Sequence, residues 1–358
     1  MSRPLPPRDL AQCFALVGAP AWESLRGQRV FLTGGTGFVG KWLTAALVHA
    51  DRELDLGVEL VMLSRDPDAF ARAEPELAAA RPVRLVRGDV RDFAFPDGAF
   101  SHVIHAATDV VIQAPPRDIF SVCVDGTRRV LDFAAARGVK DFLLVSSGAV
   151  YGRQPPELPA LDEDYRGAPD VRQPSAAYGE GKRVAEWLTH VLCGEALCRP
   201  RVARCFAFVG PHLPLDKQFA VGNFVRDALA GQDIVIQGDG TPFRSYLYTA
   251  DLAGWLWAML LRAPAGAVYN VGGEEALSIA ALAERVTRVL GSRGAVRVLK
   301  APGGAPAERY VCDVSRIRRD LDLPEPTPLD EGILRMARWH TTANVIPADG
   351  SAPPPARG

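Results

Sequence analysis

The chain has 358 residues, with 41 Lys and Arg against 42 Asp and Glu, a formal net charge of −1 and 48% hydrophobic residues. That balance gives no electrostatic reason to expect nucleic acid or an anionic membrane as partner. The six cysteines form no CxxC pair and have no zinc spacing, and the six histidines show no HxH or HExxH pattern, so no metal site is expected.

Residues 1–27 form an N-terminal extension in which Asp9 is placed to cap a short amphipathic turn through Leu10, Phe14 and Val17. From Gln28 short apolar runs alternate with helical periodicity. Strands are predicted at Arg29–Thr33, Glu59–Leu63, Val83–Val86, His102–Ala106 and Asp141–Ser146. Between them, Val39, Leu43, Ala46 and Leu47 share one helical face, and Val124, Val130, Leu131 and Ala134 do so more loosely. Such alternation predicts a doubly wound parallel sheet of Rossmann type, covered on both faces, over residues 28–210. The five prolines of residues 153–174 predict a surface loop, followed by a helix over Ser175–Leu197 and a strand near Arg201–Phe206. Residues 211–340 read mainly as a smaller α/β substrate domain, with strand-like pieces at Asp233–Gln237 and Ala267–Val271 and some strand exchange with the first domain. The apolar run Leu252–Leu261 is too short to span a bilayer and reads as a buried helix. A Pro, Ala and Gly-rich tail, residues 341–358, is expected to be disordered, and a cytoplasmic location is expected.

The strongest motif is Thr33-Gly34-Gly35-Thr36-Gly37-Phe38-Val39-Gly40, between an apolar strand and an amphipathic helix. Gly34 permits the tight turn, Gly37 lets the backbone approach a pyrophosphate, and Gly40 allows close helix–strand packing. At the end of the second strand stand Ser64 and Arg65, where an NAD-binding carboxylate would be expected. Arg65 favours NADP(H), while Asp66 one step later keeps NAD(H) open. Asp89 and Val90, after the third strand, are candidate neighbours of the adenine ring.

Tyr178 and Lys182 lie four residues apart, one helical turn on the same face. A neighbouring cation lowers the pKa of a phenol and makes it a usable proton carrier. Ser147 stands at the C-terminal end of a predicted parallel strand, the edge at which open α/β sheets bind ligands. It is placed to hydrogen-bond a substrate oxygen while Tyr178 transfers the proton.

These motifs, with GDVRD at 88–92, HAAT at 105–108, SSGAVYG at 146–152, RCFAFVGP at 204–211, VGNF at 221–224, GDGTPFRSYLYTADLA at 238–253 and YNVGG at 269–273, resemble the extended short-chain dehydrogenase/reductase family. The likeness is to its nucleotide-sugar epimerase/dehydratase branch. The resemblance implies Ser147, Tyr178 and Lys182 as the catalytic residues. It implies a dinucleotide site that includes Thr36, Phe38, Val39, Ala106, Ala107 and Thr108, and implies Asn223 and Arg244 on the substrate diphosphate. Asn270 reads as ordering a loop, Asp251 as capping the helix that follows, and His102 and His105 as packed or hydrogen-bonded in the core.

The departures from the family pattern matter. Dehydratases and decarboxylases carry an acid just after the catalytic Ser or Thr, where this chain has Gly148 and Ala149. The family asparagine of RxFNxxG is Ala207, and the one before its VxGT turn is Cys123. These features favour reduction of a 4-keto sugar nucleotide, with NAD-dependent 4-epimerisation as the alternative. A non-catalytic dinucleotide-binding regulatory module is opposed by the retained Tyr178/Lys182 pair. A homodimer is common in the resembled family.

Overall fold

The computed structural model describes residues 3–108, 114–304 and 306–341. The chain opens with α1 (Pro7–Val17) and α2 (Ala19–Glu23), and then enters the sheet at β1 (Arg29–Thr33). There follow α3 (Phe38–Leu54), β2 (Glu59–Ser64), α4 (Pro67–Ala73), α5 (Pro75–Ala78), β3 (Val83–Arg87), β4 (His102–His105), α6 (Pro116–Arg137), β5 (Asp141–Ser147), α7 (Ala176–Glu195) and β6 (Arg199–Cys205). Beyond these come β7 (Ala207–Val209), α8 (Ala220–Leu229), β8 (Ile234–Ile236), β9 (Phe243–Arg244), β10 (Tyr246–Tyr248), α9 (Thr249–Arg262) and β11 (Val268–Val271). The described chain closes with β12 (Leu277–Ser278), α10 (Ile279–Leu290), β13 (Val296–Val298), β14 (Arg309–Tyr310), α11 (Ser315–Asp320) and α12 (Leu329–Thr341).

Seven strands form one parallel sheet in the order β11-β6-β5-β4-β1-β2-β3. Both faces are buried, and residue parity sorts the side chains between two cores. Val30, Leu32, Leu60, Met62, Leu143 and Val145 join the core that α3 and α9 cover. Phe31, Val61, Leu63, Phe142 and Leu144 point the other way, to Phe93, Phe100 and Phe133. Strand order reverses between β1 and β4, which opens a crevice at the C-terminal strand ends.

The predicted strands lie within one or two residues of those observed, the ordinary scatter at element ends. Residues 28–210 and 211–340 interleave more closely than a boundary near 210 conveys. β11 completes the edge of the large sheet beside β6, and α9, apolar all round, lies buried against it. The N-terminal extension is part of the core rather than a preface, because α1 packs along α9 and Trp22 packs on Trp257 at 5.1 Å between centroids.

Two acids expected as caps do other work. Asp9 is buried inside the first turn of α1, where it accepts from the Tyr248 hydroxyl at 2.7 Å and from Arg335 at 2.8 Å. Asp251 lies within α9 and receives Gln12 Nε2 at 2.6 Å and the Thr327 amide at 2.8 Å. Thr341 ends α12, and the rest of the tail expected to be disordered lies outside the described residues. Among the described residues no helix is long and apolar enough to cross a membrane, and no group of His, Cys, Asp and Glu is arranged to hold a metal.

Candidate active site

A cleft of about 750 Å³ opens over the C-terminal ends of β1, β2, β4 and β5. Its floor is the glycine turn. Gly34 has φ +72°, and a Cβ there would lie 2.5 Å from the Ala106 carbonyl carbon. A Cβ on Gly40 would lie 2.3 Å from Gly34 O, so α3 starts pressed against the turn. Gly37 caps α3 without a side-chain acceptor, which leaves the first-turn N–H groups directed at the cleft. This cradle fits a pyrophosphate.

Every residue expected at the dinucleotide lines this one cleft: Gly34, Thr36, Gly37, Phe38, Val39 and Gly40 below, Ser64, Arg65, Asp89 and Val90 at one end, and Ala106, Ala107 and Thr108 beside them. Asp66 is not among the lining residues. Its carboxylate caps α4 by accepting from the Ala69 amide at 3.1 Å, while its own amide donates to Ser64 Oγ at 3.2 Å. Arg65 therefore stands at the cleft without a competing carboxylate from the next residue, and its charge helps hold the Asp89 carboxyl below its ordinary range, after the larger effect of Arg91.

Beneath the turn, His105 bridges β1 to α6. Thr127 Oγ1 donates to Cys123 O at 2.6 Å and therefore accepts from His105 Nε2 at 3.0 Å. The neutral ring is thus protonated at Nε2, and Nδ1 accepts from Thr33 Oγ1 at 2.7 Å. Burial, and secondarily Lys182, push this histidine down to about 3. Thr33 Oγ1 in turn receives the Ala107 amide at 3.2 Å, which fixes the strand end that floors the cleft.

Ser147, Tyr178 and Lys182 share the opposite wall. Ser147 ends β5, and its Oγ accepts from the Ala149 amide at 3.1 Å. Tyr178 and Lys182 stand one turn apart on α7, and Lys182 Nζ is buried, donating to Val145 O at 2.8 Å. Burial holds the Tyr178 phenol well above its usual range, with the neighbouring Ser147 hydroxyl opposing, and burial lowers the Lys182 ammonium. The resting site thus offers a protonated phenol.

Next to Ser147 the wall is apolar. A Cβ on Gly148 would lie 2.6 Å from Phe206 Cζ, and Ala149 offers the cleft only its small side chain. The Ser146 hydroxyl donates to Glu186 at 2.6 Å, and Glu186 is paired with Arg204 at 2.8 Å. Asn270 organises the loop between β5 and α7 as expected: it accepts from Tyr151 OH at 2.7 Å and donates to the Leu161 and Asp313 carbonyls at 2.8 and 3.1 Å.

The two residues expected at the diphosphate part company. Arg244 lines the cleft, held by Glu308 at 2.7 Å. Asn223 does not line it, because α8 turns its amide onto Lys217 O at 3.0 Å. Gln218, Phe219, Ala220 and Val221, just before it, line the cleft instead. Sequence reasoning also missed Phe206, Phe208, Tyr246 and Tyr310, which bring aromatic surface from the C-terminal half to the catalytic wall. Phe206, Phe208 and Tyr246 stand within the runs RCFAFVGP and GDGTPFRSYLYTADLA, whereas Tyr310 stands in none of the quoted motifs.

The sheet order and glycine turn define a doubly wound fold of the dinucleotide-binding type. Over residues 30–272 the chain matches the NAD dependent epimerase/dehydratase family. It belongs to that family, within the extended short-chain dehydrogenases/reductases. Among its relatives, UDP-glucuronic acid decarboxylase 1 of Xenopus tropicalis is 28% identical over 307 residues, covering 86% of this chain and 70% of that protein. A dTDP-4-dehydro-6-deoxy-D-allose reductase from a Streptomyces species is 29% identical over 330 residues, covering 88% and 96%. Among solved structures, the dTDP-glucose 4,6-dehydratase DesIV of Streptomyces venezuelae is 25% identical with TM-score 0.74, covering 88% of this chain and 97% of that one. An epimerase from Methanothermobacter thermautotrophicus, 24% identical with TM-score 0.75 over 92% and 96%, speaks to the fold alone.

Proposed function

We propose that this protein reduces the keto group of a 4-keto nucleotide-diphosphate sugar, using NADP(H). The observation that carries the reading is the wall beside Ser147, which among the described residues holds a protonated phenol but no second acid. Dehydration and decarboxylation require a titratable group next to the catalytic serine. Here Gly148 is packed against Phe206 and Ala149 cannot titrate. The 29% identity to a sugar-nucleotide 4-dehydro reductase over nearly that whole protein supports the same reading. The decarboxylases among the relatives do not outweigh it, because their reaction needs an acid that these positions lack.

In this reading the glycine turn and the α3 N-terminus hold the pyrophosphate, Arg65 holds the 2′-phosphate, and Lys182 holds the nicotinamide ribose. The bound dinucleotide supplies hydride. Ser147 orients the substrate carbonyl oxygen, and Tyr178 gives that oxygen its proton as negative charge develops there. Burial keeps the phenol protonated, which is the form reduction requires. Arg244 binds the diphosphate through its planar donor fork. The exposed Trp187 and Val191 of α7, with Phe120 of α6, support a homodimer built on these helices.

The test is to mix purified protein with a 4-keto-6-deoxy sugar nucleotide and NADPH, and to follow absorbance of the reduced nicotinamide. One NADPH consumed per sugar reduced is expected, with turnover faster than with NADH. Absence of NADPH consumption would overturn the reductase reading, and interconversion of a 4-hydroxy sugar nucleotide with its C4 epimer, without net cofactor use, would instead identify a 4-epimerase.

A further inference from the structure

We infer that Tyr310 is a positioning residue for Ser147 and couples that hydroxyl to the segment holding Arg244; this rests on the catalytic reading of Ser147 and Tyr178 given above. Tyr310 lies 163 residues from Ser147 in sequence, yet its hydroxyl is 3.4 Å from Ser147 Oγ and 3.4 Å from the Cys205 carbonyl oxygen. Both contacts are longer than a closed hydroxyl bond, and catalytic contacts of this kind shorten when substrate binds.

The donors and acceptors set a direction. Cys205 O can only accept, so the Tyr310 proton goes to it and the Tyr310 oxygen accepts the Ser147 proton. Ser147 Oγ then has two lone pairs to offer. The Ala149 amide takes one, at 3.1 Å. The chain therefore runs from Ser147 to Tyr310 to the Cys205 carbonyl, and with the Ala149 amide it fixes the position of the serine oxygen. Its consequence is a single resting position for Ser147 Oγ, from which the serine proton turns to a substrate carbonyl oxygen when one binds. Without the Tyr310 oxygen, one of the two groups that hold this position is lost and Ser147 is free to change rotamer.

The same residue reaches the substrate-anchoring side. Tyr310 is the register partner of Arg244 in the parallel β14–β9 pair, and the Arg244 guanidinium lies 5.8 Å from its ring centroid. The ladder continues in the Phe243 amide bond to Glu308 O at 2.7 Å and in the Arg244–Glu308 ion pair. The ring is held against Phe206 at 4.6 Å between centroids. An anion that engages Arg244 therefore acts on the two-strand ladder that presents the Tyr310 hydroxyl.

Tyr310→Phe keeps the ring and its packing and removes only the hydroxyl. With NADPH and a 4-keto-6-deoxy sugar nucleotide, kcat is expected to fall about 10-fold, the scale of one positioned hydrogen bond, with KM unchanged within about 2-fold. In a Ser147→Ala background the same substitution is expected to change kcat by less than about 2-fold, because there is no serine left to position. Equal losses in both backgrounds, no loss in either, or a change confined to KM would overturn the inference. A crystal structure of Tyr310→Phe gives an arm independent of turnover: Ser147 is expected to leave its parent rotamer or to split between two. An unchanged single rotamer would overturn the positioning role. Absence of turnover by the parent protein would count against the reductase reading alone, and the rotamer result would still decide the role of Tyr310.

Discussion

The Asp66 carboxylate is bound to the amide of Ala69 at the start of α4, 3.1 Å away, and so is turned from the cleft that its neighbour Arg65 lines. An acid at the end of the second strand is what reads a free ribose 2′-hydroxyl. Here that acid serves as a helix cap, and the arginine faces the cofactor end of the cleft. Replacing Arg65 with Ala is expected to lower kcat/KM for NADPH by roughly 10- to 100-fold, the loss of a charged hydrogen bond, and to leave NADH nearly unaffected. Parallel steady-state assays with the two cofactors check this. An equal fall with both would show that Arg65 does not contact the 2′-phosphate.

Gly148 is the second discriminating position. Adding even a methyl group brings a carbon to 2.6 Å from Phe206 Cζ, a contact that the packed ring must move to relieve. Gly148→Ala is expected to destabilise the fold by about 1–3 kcal/mol, as overpacking does. Denaturant unfolding measures it. Combining the change with Phe206→Leu should recover part of the loss, since the obstacle is the ring itself.

The buried pair Glu186–Arg204 ties α7 to β6, and Glu186 also receives Ser146 Oγ at 2.6 Å. Removing the carboxylate leaves a largely buried guanidinium and the serine hydroxyl short of their acceptor. Glu186→Ala is expected to cost about 3–5 kcal/mol, the range for breaking one side of a buried ion pair. The change should appear in the urea midpoint, with the slope of the transition unchanged.

Acid sensitivity follows from His105. Its pKa is pushed down from about 6.5 in an unfolded chain to about 3 in the fold, chiefly by burial. Between these values the unfolded chain binds a proton that the folded chain refuses, so this contribution is intact above pH 6.5 and is lost as pH falls toward 3. The slope is one proton, about 1.4 kcal/mol per pH unit. His102, His212 and His340 are also depressed, each to about 4, and add to the parent slope. His105→Gln should therefore flatten the pH dependence of unfolding free energy between pH 6 and 4 by about one proton. An unchanged slope would mean that His105 is protonated in the folded state.

What could be read from the sequence was local. β1, the glycine turn and the start of α3 lie within twelve residues, and Tyr178 and Lys182 within one helical turn, so periodicity and spacing were enough to pair them. Asp9 was misread because an acid before an apolar helical run is the ordinary sign of a cap. Its actual partners, Tyr248 and Arg335, are 239 and 326 residues away. Tyr310 and Phe206 were missed for the same reason, since convergence on Ser147 is set by how β14 packs against the end of β6 and leaves no periodic trace. Asn223 sits in the segment where the family pattern expects a diphosphate ligand, but the pitch of α8 directs its amide to Lys217.

Hydride delivery to the sugar is tested most directly by following the hydride itself. Purified protein is incubated with a 4-keto-6-deoxy sugar nucleotide and NADPH carrying deuterium at the transferable position of nicotinamide C4, and the product is examined by mass spectrometry and NMR. One deuterium is expected in the product, bound at sugar C4, with one equivalent of cofactor oxidised, and the reaction is expected to be lost in Tyr178→Phe. A sugar product without deuterium and with the reduced cofactor unspent would contradict hydride delivery.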